Sequence, residues 1–282
     1  MRRALALFAL LGSLAPSASG QTMRAFSASR AAAGERMLRA TLEFGAGQVV
    51  IQPGVPGELY RTNLRYDAER SAPIQEYDSR TGILRLGLET VGGGGIRVTS
   101  RARLDQSARF ELSTEVPLSL VANLGAAEAT IDLGGTALNT LMIRSGATSG
   151  TLTFSRPTTG HCQRATFTLG ASDLEVSRLA AAGCSEIRVD GGVGRASLGF
   201  EGTWRRDVTV VAEMSMGTLT LRVPRGVGVR ITAARFLTTL NVDGLVRTGD
   251  VWSTPEFSTA PQKITVELKT SMAGVKVEWL EN

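Results

Sequence analysis

Few residues in this chain are of the types that carry out chemistry. His161 is the sole histidine and stands next to Cys162, a pairing that could indicate metal ligation. A metal site needs three or four ligands in matched geometry, and further ligands at suitable spacing are not apparent. The alternative is that His161 is a loop residue within the stretch 158–161. We therefore predict no metal site and no cofactor.

Two pairs of carboxylates, Asp67 with Glu69 and Glu76 with Asp78, could in principle serve glycoside hydrolysis. Charged residues at strand edges more often face solvent and prevent strands of different molecules from pairing. The chain has no nucleophile elbow and no dinucleotide fingerprint, and the glycine run 92–95 lacks the Lys and Ser/Thr that complete a phosphate-binding loop. These patterns predict that the protein is not an enzyme.

Basic residues follow the glycine run at four positions. They could bind an acidic polymer, such as a cell-surface polysaccharide, or a lipid head group. The alternative is a solvated strand that bears charges. The four residues are Arg97, Arg101, Arg103 and Arg109.

The first 20 residues have the layout of a secretory signal peptide. A basic start is followed by the apolar run 4–14 and a small-residue segment, in which Ala18 and Gly20 suit the −3 and −1 positions and leave Gln21 first. The alternative, an uncleaved anchor, would need about 20 apolar residues. No later stretch is apolar enough for a membrane helix. We expect an exported protein, periplasmic or extracellular, that is soluble after cleavage.

The composition points to β-structure in a single domain. Glycine is abundant and aromatic residues are few, which is typical of strands joined by tight turns. Without Arg2 and Arg3, 29 basic residues face 26 acidic ones. This near balance argues against a nucleic-acid partner, because such proteins carry a basic stripe. The length suits one all-β domain.

A repeat of alternating apolar strands around a Gly-small corner runs along the chain. Successive corner glycines are 21, 24, 22 and 25 residues apart, which is a solenoid period of about 22 residues. The competing interpretation is a β-sandwich of hairpins, which has similar strand spacing. We predict an all-β, β-helix-like solenoid of stacked rungs. The corners lie at Gly125, Gly146, Gly170, Gly192 and Gly217.

The repeat sets the expected domain organisation. Residues 21–35 are predicted to be flexible, and 36–280 to form one β-solenoid domain in which the hairpin-rich part 55–115 is an irregular cap or insertion. The segment 235–242 fits a rung by its spacing but lacks a corner glycine, and 248–262 is predicted to be a loop because it contains Pro255 and Pro261.

Cys162 and Cys184 occupy equivalent positions, each eight residues before a corner glycine. Stacked strands are about 4.8 Å apart, within the separation that a disulfide bridges. An exported chain meets an oxidising compartment, in which disulfides persist. We predict a Cys162–Cys184 disulfide between two rungs; the alternative is a pair of free buried thiols.

The segment 216–230, with its glycine, strand and Val-Pro-x-x-Val-x-Val pattern, resembles the C-terminal domain of LiaF-type proteins of the cell-wall-active-antibiotics response. The fuller pattern is similar to the related bacterial toast-rack family of exported proteins. It includes 44–47, 64–67, 203–207 and 249–252. This resemblance, over roughly 36–280, implies the fold rather than an activity. LiaF-type proteins carry membrane helices before this domain and act on a histidine-kinase system, whereas we expect a cleavable signal peptide at the start of this chain.

Three functions are compatible with these observations. The first is a non-enzymatic structural or interaction module of the bacterial cell envelope, whose partner is an unknown envelope protein or surface polymer. The second, which the LiaF-type resemblance suggests, is a regulatory partner in cell-wall stress signalling. The third is a polysaccharide-acting β-helix enzyme, which would need carboxylates clustered on one face of the solenoid.

Overall fold

A computed structural model describes residues 22–91, 105–234 and 239–281. Within these residues the chain folds into strands joined in one sheet, with a single helical turn, α1 (Leu179–Ala182). The strands are β1 (Met23–Ala31), β2 (Leu38–Pro53), β3 (Glu58–Asp67), β4 (Ser71–Asp78), β5 (Ile83–Thr90), β6 (Ser107–Leu112), β7 (Leu118–Asp132), β8 (Leu138–Ser145), β9 (Ser149–Thr153), β10 (Arg164–Ser177), β11 (Glu186–Gly199), β12 (Val208–Pro224), β13 (Gly228–Ala234), β14 (Thr239–Asn241), β15 (Val246–Thr248), β16 (Val251–Ser253) and β17 (Lys263–Leu280).

The long strands stack in parallel, each bent once at its corner, so the predicted β-solenoid is confirmed. A sandwich of hairpins would pair consecutive strands antiparallel, whereas β10, β11 and β12 pair in parallel along their whole length. The strands β8 and β9 are the two halves of one rung. In space the rungs follow the order β5/β6, β2, β7, β8/β9, β10, β11, β12, β17 and β13/β14.

Glycines at the corners stack directly on one another. A Cβ on Gly125 would collide with the carbonyl oxygen of Gly45, and one on Gly170 would collide with that of Gly146. Close backbone approach therefore explains why these corners are glycine. The prediction for Gly217 was wrong in register: it pairs with Gly194 rather than with Gly192, and both have positive φ, 128° and 138°.

The interior consists of ladders of apolar side chains, because every second residue of each strand points inward. Five phenylalanines are at most 2 % exposed. One ladder contains a β-branched residue or leucine in each of seven neighbouring rungs. Its members are Ile51, Ile131, Leu152, Val176, Leu198, Leu221 and Val277.

Antiparallel strands cover the N-terminal end of the stack. The rung β5/β6 lies on β2, and β4 pairs with β5 while β3 pairs with β6. The strand β1 then pairs antiparallel with β3 along Met23–Ala31. The prediction of a flexible 21–35 is therefore wrong for this strand, which is ordered by pairing with β3. Covering strands of this kind protect the end of a solenoid from pairing with other chains.

The C-terminal end is built in a similar way. The strands β13 and β14 pair in parallel with the two halves of β17, which itself lies between them and β12. The strand β16 pairs antiparallel with β13, and β15 with β16. The segment predicted to be a loop, 248–262, thus contains a short strand, because Val251–Ser253 completes the edge of β13.

Candidate ligand-binding groove

The two cysteines form a disulfide between consecutive rungs. Cys162 and Cys184 are 22 residues apart in sequence, their Cα atoms are 4.3 Å apart, and both side chains are buried. They precede β10 and β11 by two residues each, so the bond joins the starts of two paired strands. The thiol of Cys162 is therefore not available as a metal ligand.

His161 lies in an exposed loop. Across the described residues, no group of three or more His, Cys, Asp or Glu side chains is placed to hold a metal ion. His161 is therefore a loop residue, and its neighbour Cys162 is bonded to Cys184 in the disulfide.

The carboxylate pairs singled out in the sequence belong to turns and ion pairs near the N-terminal end. Asp67 is buried and accepts a hydrogen bond from the backbone N–H of Glu69 at 3.1 Å. Asp78 accepts bonds from the N–H of Arg80 and the hydroxyl of Thr81, and these bonds lower its pKa. A proton donor in glycoside hydrolysis needs a raised pKa instead.

The remaining members of these groups do not converge on a site. Glu76 forms an ion pair with Arg85 at 2.8 Å. The Arg109 guanidinium donates a hydrogen bond to the side-chain oxygen of Gln52 at 2.8 Å, so it takes part in a contact on the outer surface of the rung. The glycine run 92–95 and the arginines at 97, 101 and 103 lie outside the described residues.

Each rung presents two outer walls, which meet at the corner. We call the strand halves before the corner the first wall and those after it the second wall. The second wall is concave and contains an open groove of about 560 Å³ that crosses β7, β9, β10, β11 and β12. The middle row of its floor has one outward side chain in each of these five strands: Thr130, Thr151, Glu175, Ser197 and Thr220.

Small side chains form the layer beneath this floor. The inward positions Ala129, Gly150 and Ala196 occupy one ladder, which Leu174 and Leu219 share. Four of these five residues, all except Leu219, also line the groove, because the small side chains above them leave them partly accessible.

Charged groups of the groove are held by pairs across rungs. Arg195 donates two hydrogen bonds to Asp173, at 2.6 and 3.2 Å, and these bonds lower the pKa of the Asp173 carboxyl. Arg222 reaches from β12 to Glu175 on β10 at 3.0 Å.

Hydroxyl groups make up most of the remaining floor. Within the described part of the chain they form no hydrogen bond with another residue, so they are available to a ligand. The hydroxyls belong to Thr130, Ser149, Thr151, Ser197, Thr218 and Thr220. None of these residues was singled out from the sequence. The available signal was the Thr-Leu-Thr pattern at 151–153 and again at 218–220.

Two other surface features are less suited to a ligand. Val193, Met216 and Met272 are each about half exposed and line up along the outer corner, but they offer no polar group. A cavity of about 650 Å³ at the C-terminal end contains Trp279, whose indole N–H is already donated to the carbonyl oxygen of Asp243.

A hollow of about 460 Å³ beside the corner of the first wall is lined by Glu43, Asn123, Arg144 and Thr168. The groove of the second wall is larger and presents more hydroxyls in register from rung to rung.

No helix among the described residues is long and apolar enough to cross a membrane.

Comparison with solved structures finds proteins of similar extent but low identity. One is "a putative cell adhesion protein" from Clostridium sporogenes ATCC 15579, with 15% identity, coverage of 91% of this chain and 100% of that one, and a TM-score of 0.48. Another is "a putative adhesin" from Bacteroides fragilis NCTC 9343, with 9% identity, coverage of 92% and 98%, and a TM-score of 0.42. Curated proteins give no match.

Comparison with family models gives a match to the N-terminal domain of toast_rack (DUF2154) over residues 19–177. The matched segment is more than half of the chain and runs from before β1 to the end of β10. It agrees with the resemblance carried by the motifs at 44–47 and 64–67. The chain therefore belongs to the toast-rack family.

Proposed function

We propose that this protein is an exported, non-enzymatic binding module of the bacterial cell envelope. The observation that carries the proposal is the groove of the second wall, which crosses five stacked strands and presents unpartnered hydroxyls on four of them together with two charge pairs. A solenoid holds such groups rigidly, since each strand is fixed by a neighbour on both sides. Extended surfaces of this kind are the usual binding sites of solenoid proteins.

The charges of the groove support binding rather than catalysis. Glycoside hydrolysis needs one carboxyl that keeps its proton and a second that is ionised. Asp173 has a lowered pKa because Arg195 bonds to it, and Glu175 is ion-paired with Arg222. The Asp173 carboxyl is therefore unsuited to the role of proton donor, and both carboxylates accept hydrogen bonds from arginines.

Export is supported by two independent features. The signal-peptide layout of residues 1–20 lies outside the described residues and stays a prediction from sequence. The Cys162–Cys184 disulfide is of the kind that persists in oxidising compartments and is rare in the cytosol. We expect the mature protein to begin at Gln21, which N-terminal sequencing of the exported chain would establish.

Binding of the labelled mature chain to envelopes isolated from the source organism tests the function. The groove variant, Thr130→Val/Thr151→Val/Thr220→Val, removes three floor hydroxyls while it keeps β-branched side chains. The control variant, Thr140→Val/Thr209→Val/Thr265→Val, makes the same change on the first wall. We expect saturable binding by the wild type and the control variant, and a loss of binding by the groove variant. Absence of saturable binding by the wild type would contradict the proposal.

A further inference from the structure

The groove repeats its chemistry at the spacing of the rungs. The middle row offers Thr130, Thr151, Glu175, Ser197 and Thr220, so four of its five side chains are hydroxyls. A hydroxyl both donates and accepts, and a carboxylate accepts. Over five rungs these groups cover about 19 Å along the solenoid axis, because stacked strands are about 4.8 Å apart. A ligand that matches this row is long and carries hydroxyls at a regular interval.

The charge of the groove disfavours an anionic ligand. Three of the lining residues are acidic, Glu128, Asp173 and Glu175, and one is basic, Arg195; Arg222 reaches Glu175 from outside the lining, which leaves a surplus of one acidic group. Arg195 is already bonded to Asp173, so it is not free to neutralise an acidic polymer. Like charges across an interface lower affinity and slow association. The acidic polymer considered for the arginines at 97–109 is therefore not a suitable ligand for this surface.

An extended peptide is also a poor match. Peptides that lie on a sheet gain affinity by adding a strand to an exposed edge. The strands under the groove have both edges paired: β9 lies between β7 and β10, and β11 between β10 and β12. A peptide would therefore leave its own backbone donors and acceptors without backbone partners, whereas a sugar chain hydrogen-bonds through its hydroxyls alone.

We infer that the groove binds a linear, uncharged polysaccharide, which lies along the solenoid axis and hydrogen-bonds to the row Thr130, Thr151, Glu175, Ser197 and Thr220. This inference rests on the proposed function and specifies its ligand. The groove is open to solvent, so a polymer can enter from the side and extend beyond both ends. No aromatic side chain lines the groove, so binding depends on polar contacts that repeat along the chain.

Affinity electrophoresis of the mature chain tests the inference. Native gels are prepared with soluble neutral polysaccharides, namely mixed-linkage glucan, xylan, galactomannan and dextran, or with the anionic polymers polygalacturonate and alginate. We expect at least one neutral polymer to retard the wild type and the control variant. The groove variant should show a dissociation constant at least about tenfold higher, because three hydrogen-bonding groups are lost. Ser197→Ala, a single change that leaves the strand pairing intact, should raise the constant by a few fold.

Three results would overturn the inference: no retardation by any neutral polymer, stronger retardation by an anionic polymer, or equal retardation of wild type and groove variant. Thermal unfolding followed by circular dichroism verifies that each variant is folded. Competition in the envelope-binding assay separates this inference from the proposed function. If the wild type binds envelopes through the groove and no neutral polysaccharide competes, the ligand class is wrong and the binding function stands. If the wild type does not bind envelopes, the function itself fails.

Discussion

The two walls of the solenoid share every rung and the same core, yet their outer faces differ. The middle row of the first wall contains Val121, Met142, Thr166, Arg188 and Val211, which are buried or half-buried and include only one hydroxyl. The charges of the first wall also pair across rungs, as in Arg164–Glu186 at 2.9 Å and Lys269–Glu213 at 3.1 Å. The first wall has an open hollow of about 460 Å³ next to the corner, lined by charged, amide and hydroxyl side chains, whereas hydroxyls dominate the larger groove of the second wall.

This difference shows where a solenoid can vary without affecting its stability. Inward positions are constrained by packing, and corners by the approach of one backbone to the next. Outward positions meet neither constraint, so their residues reflect what the surface contacts. Gly150 is an inward position that contributes no apolar side chain to the core.

Loss of the disulfide should have the largest effect on the free energy of unfolding. It should also affect the two walls differently. The double substitution Cys162→Ala/Cys184→Ala should lower the free energy of unfolding by about 3 kcal/mol, because the bond closes a loop of 22 residues. The bond joins the rungs at the start of the first wall. Urea unfolding should therefore show the loss, while polysaccharide affinity below the transition stays within twofold of wild type. A large fall in polysaccharide affinity would show that the disulfide also determines the shape of the groove.

Gly125→Ala should disturb the corner that joins the walls. Its Cβ would collide with the Gly45 carbonyl oxygen, so we expect a loss of about 2 kcal/mol in the free energy of unfolding. Gly274→Ala is the matched control, since its Cβ would come no closer than 3.8 Å to any other group. Denaturant unfolding of both variants compares them. Equal stabilities would contradict the stacking account of the corner.

Asp173→Asn should have the smallest effect and depend on pH. Arg195 lowers the pKa of Asp173 below its ordinary value of 3.8, so the ion pair stabilises the fold above about pH 4 and is lost as the pH falls through the lowered pKa. Both side chains are largely exposed, so the loss at neutral pH should be below about 1 kcal/mol. The stability difference from wild type should shrink as the pH falls below 3.8 through the lowered pKa of Asp173.

Glu213→Gln provides the first-wall comparison for this pair, because it breaks the contact with Lys269. Its effect on stability should be of the same size, and polysaccharide affinity should not change. If Asp173→Asn destabilises the protein equally at neutral and at low pH, the ion pair does not account for its effect.

Much of the architecture follows from local sequence. Alternation gives the strands, and the recurring corner gives the period and brings Cys162 and Cys184 together. The order of the end rungs does not follow, because β2 lies between β6 and β7 and β17 lies between β12 and β13. The spatial order of these strands depends on which parallel neighbour packs better against each of them, and the local sequence pattern does not contain that information.

The groove could not be predicted for a related reason. Outward threonines such as Thr151 and Thr220 have the same sequence pattern as solvated strand residues elsewhere, and only stacking places them in one row. The strand β1 was missed because its side chains are mostly exposed, so it lacks the apolar alternation that marks a strand with a buried face.

Carbene footprinting with mass spectrometry, in the presence of the neutral polysaccharide that binds most tightly, tests the central claim most directly. Labelling should fall in the second-wall segments around Thr151, Glu175 and Ser197. It should remain unchanged in the first-wall segments around Met142 and Arg188, which belong to the same rungs. Protection of the first wall alone, or equal protection of both walls, would contradict the account.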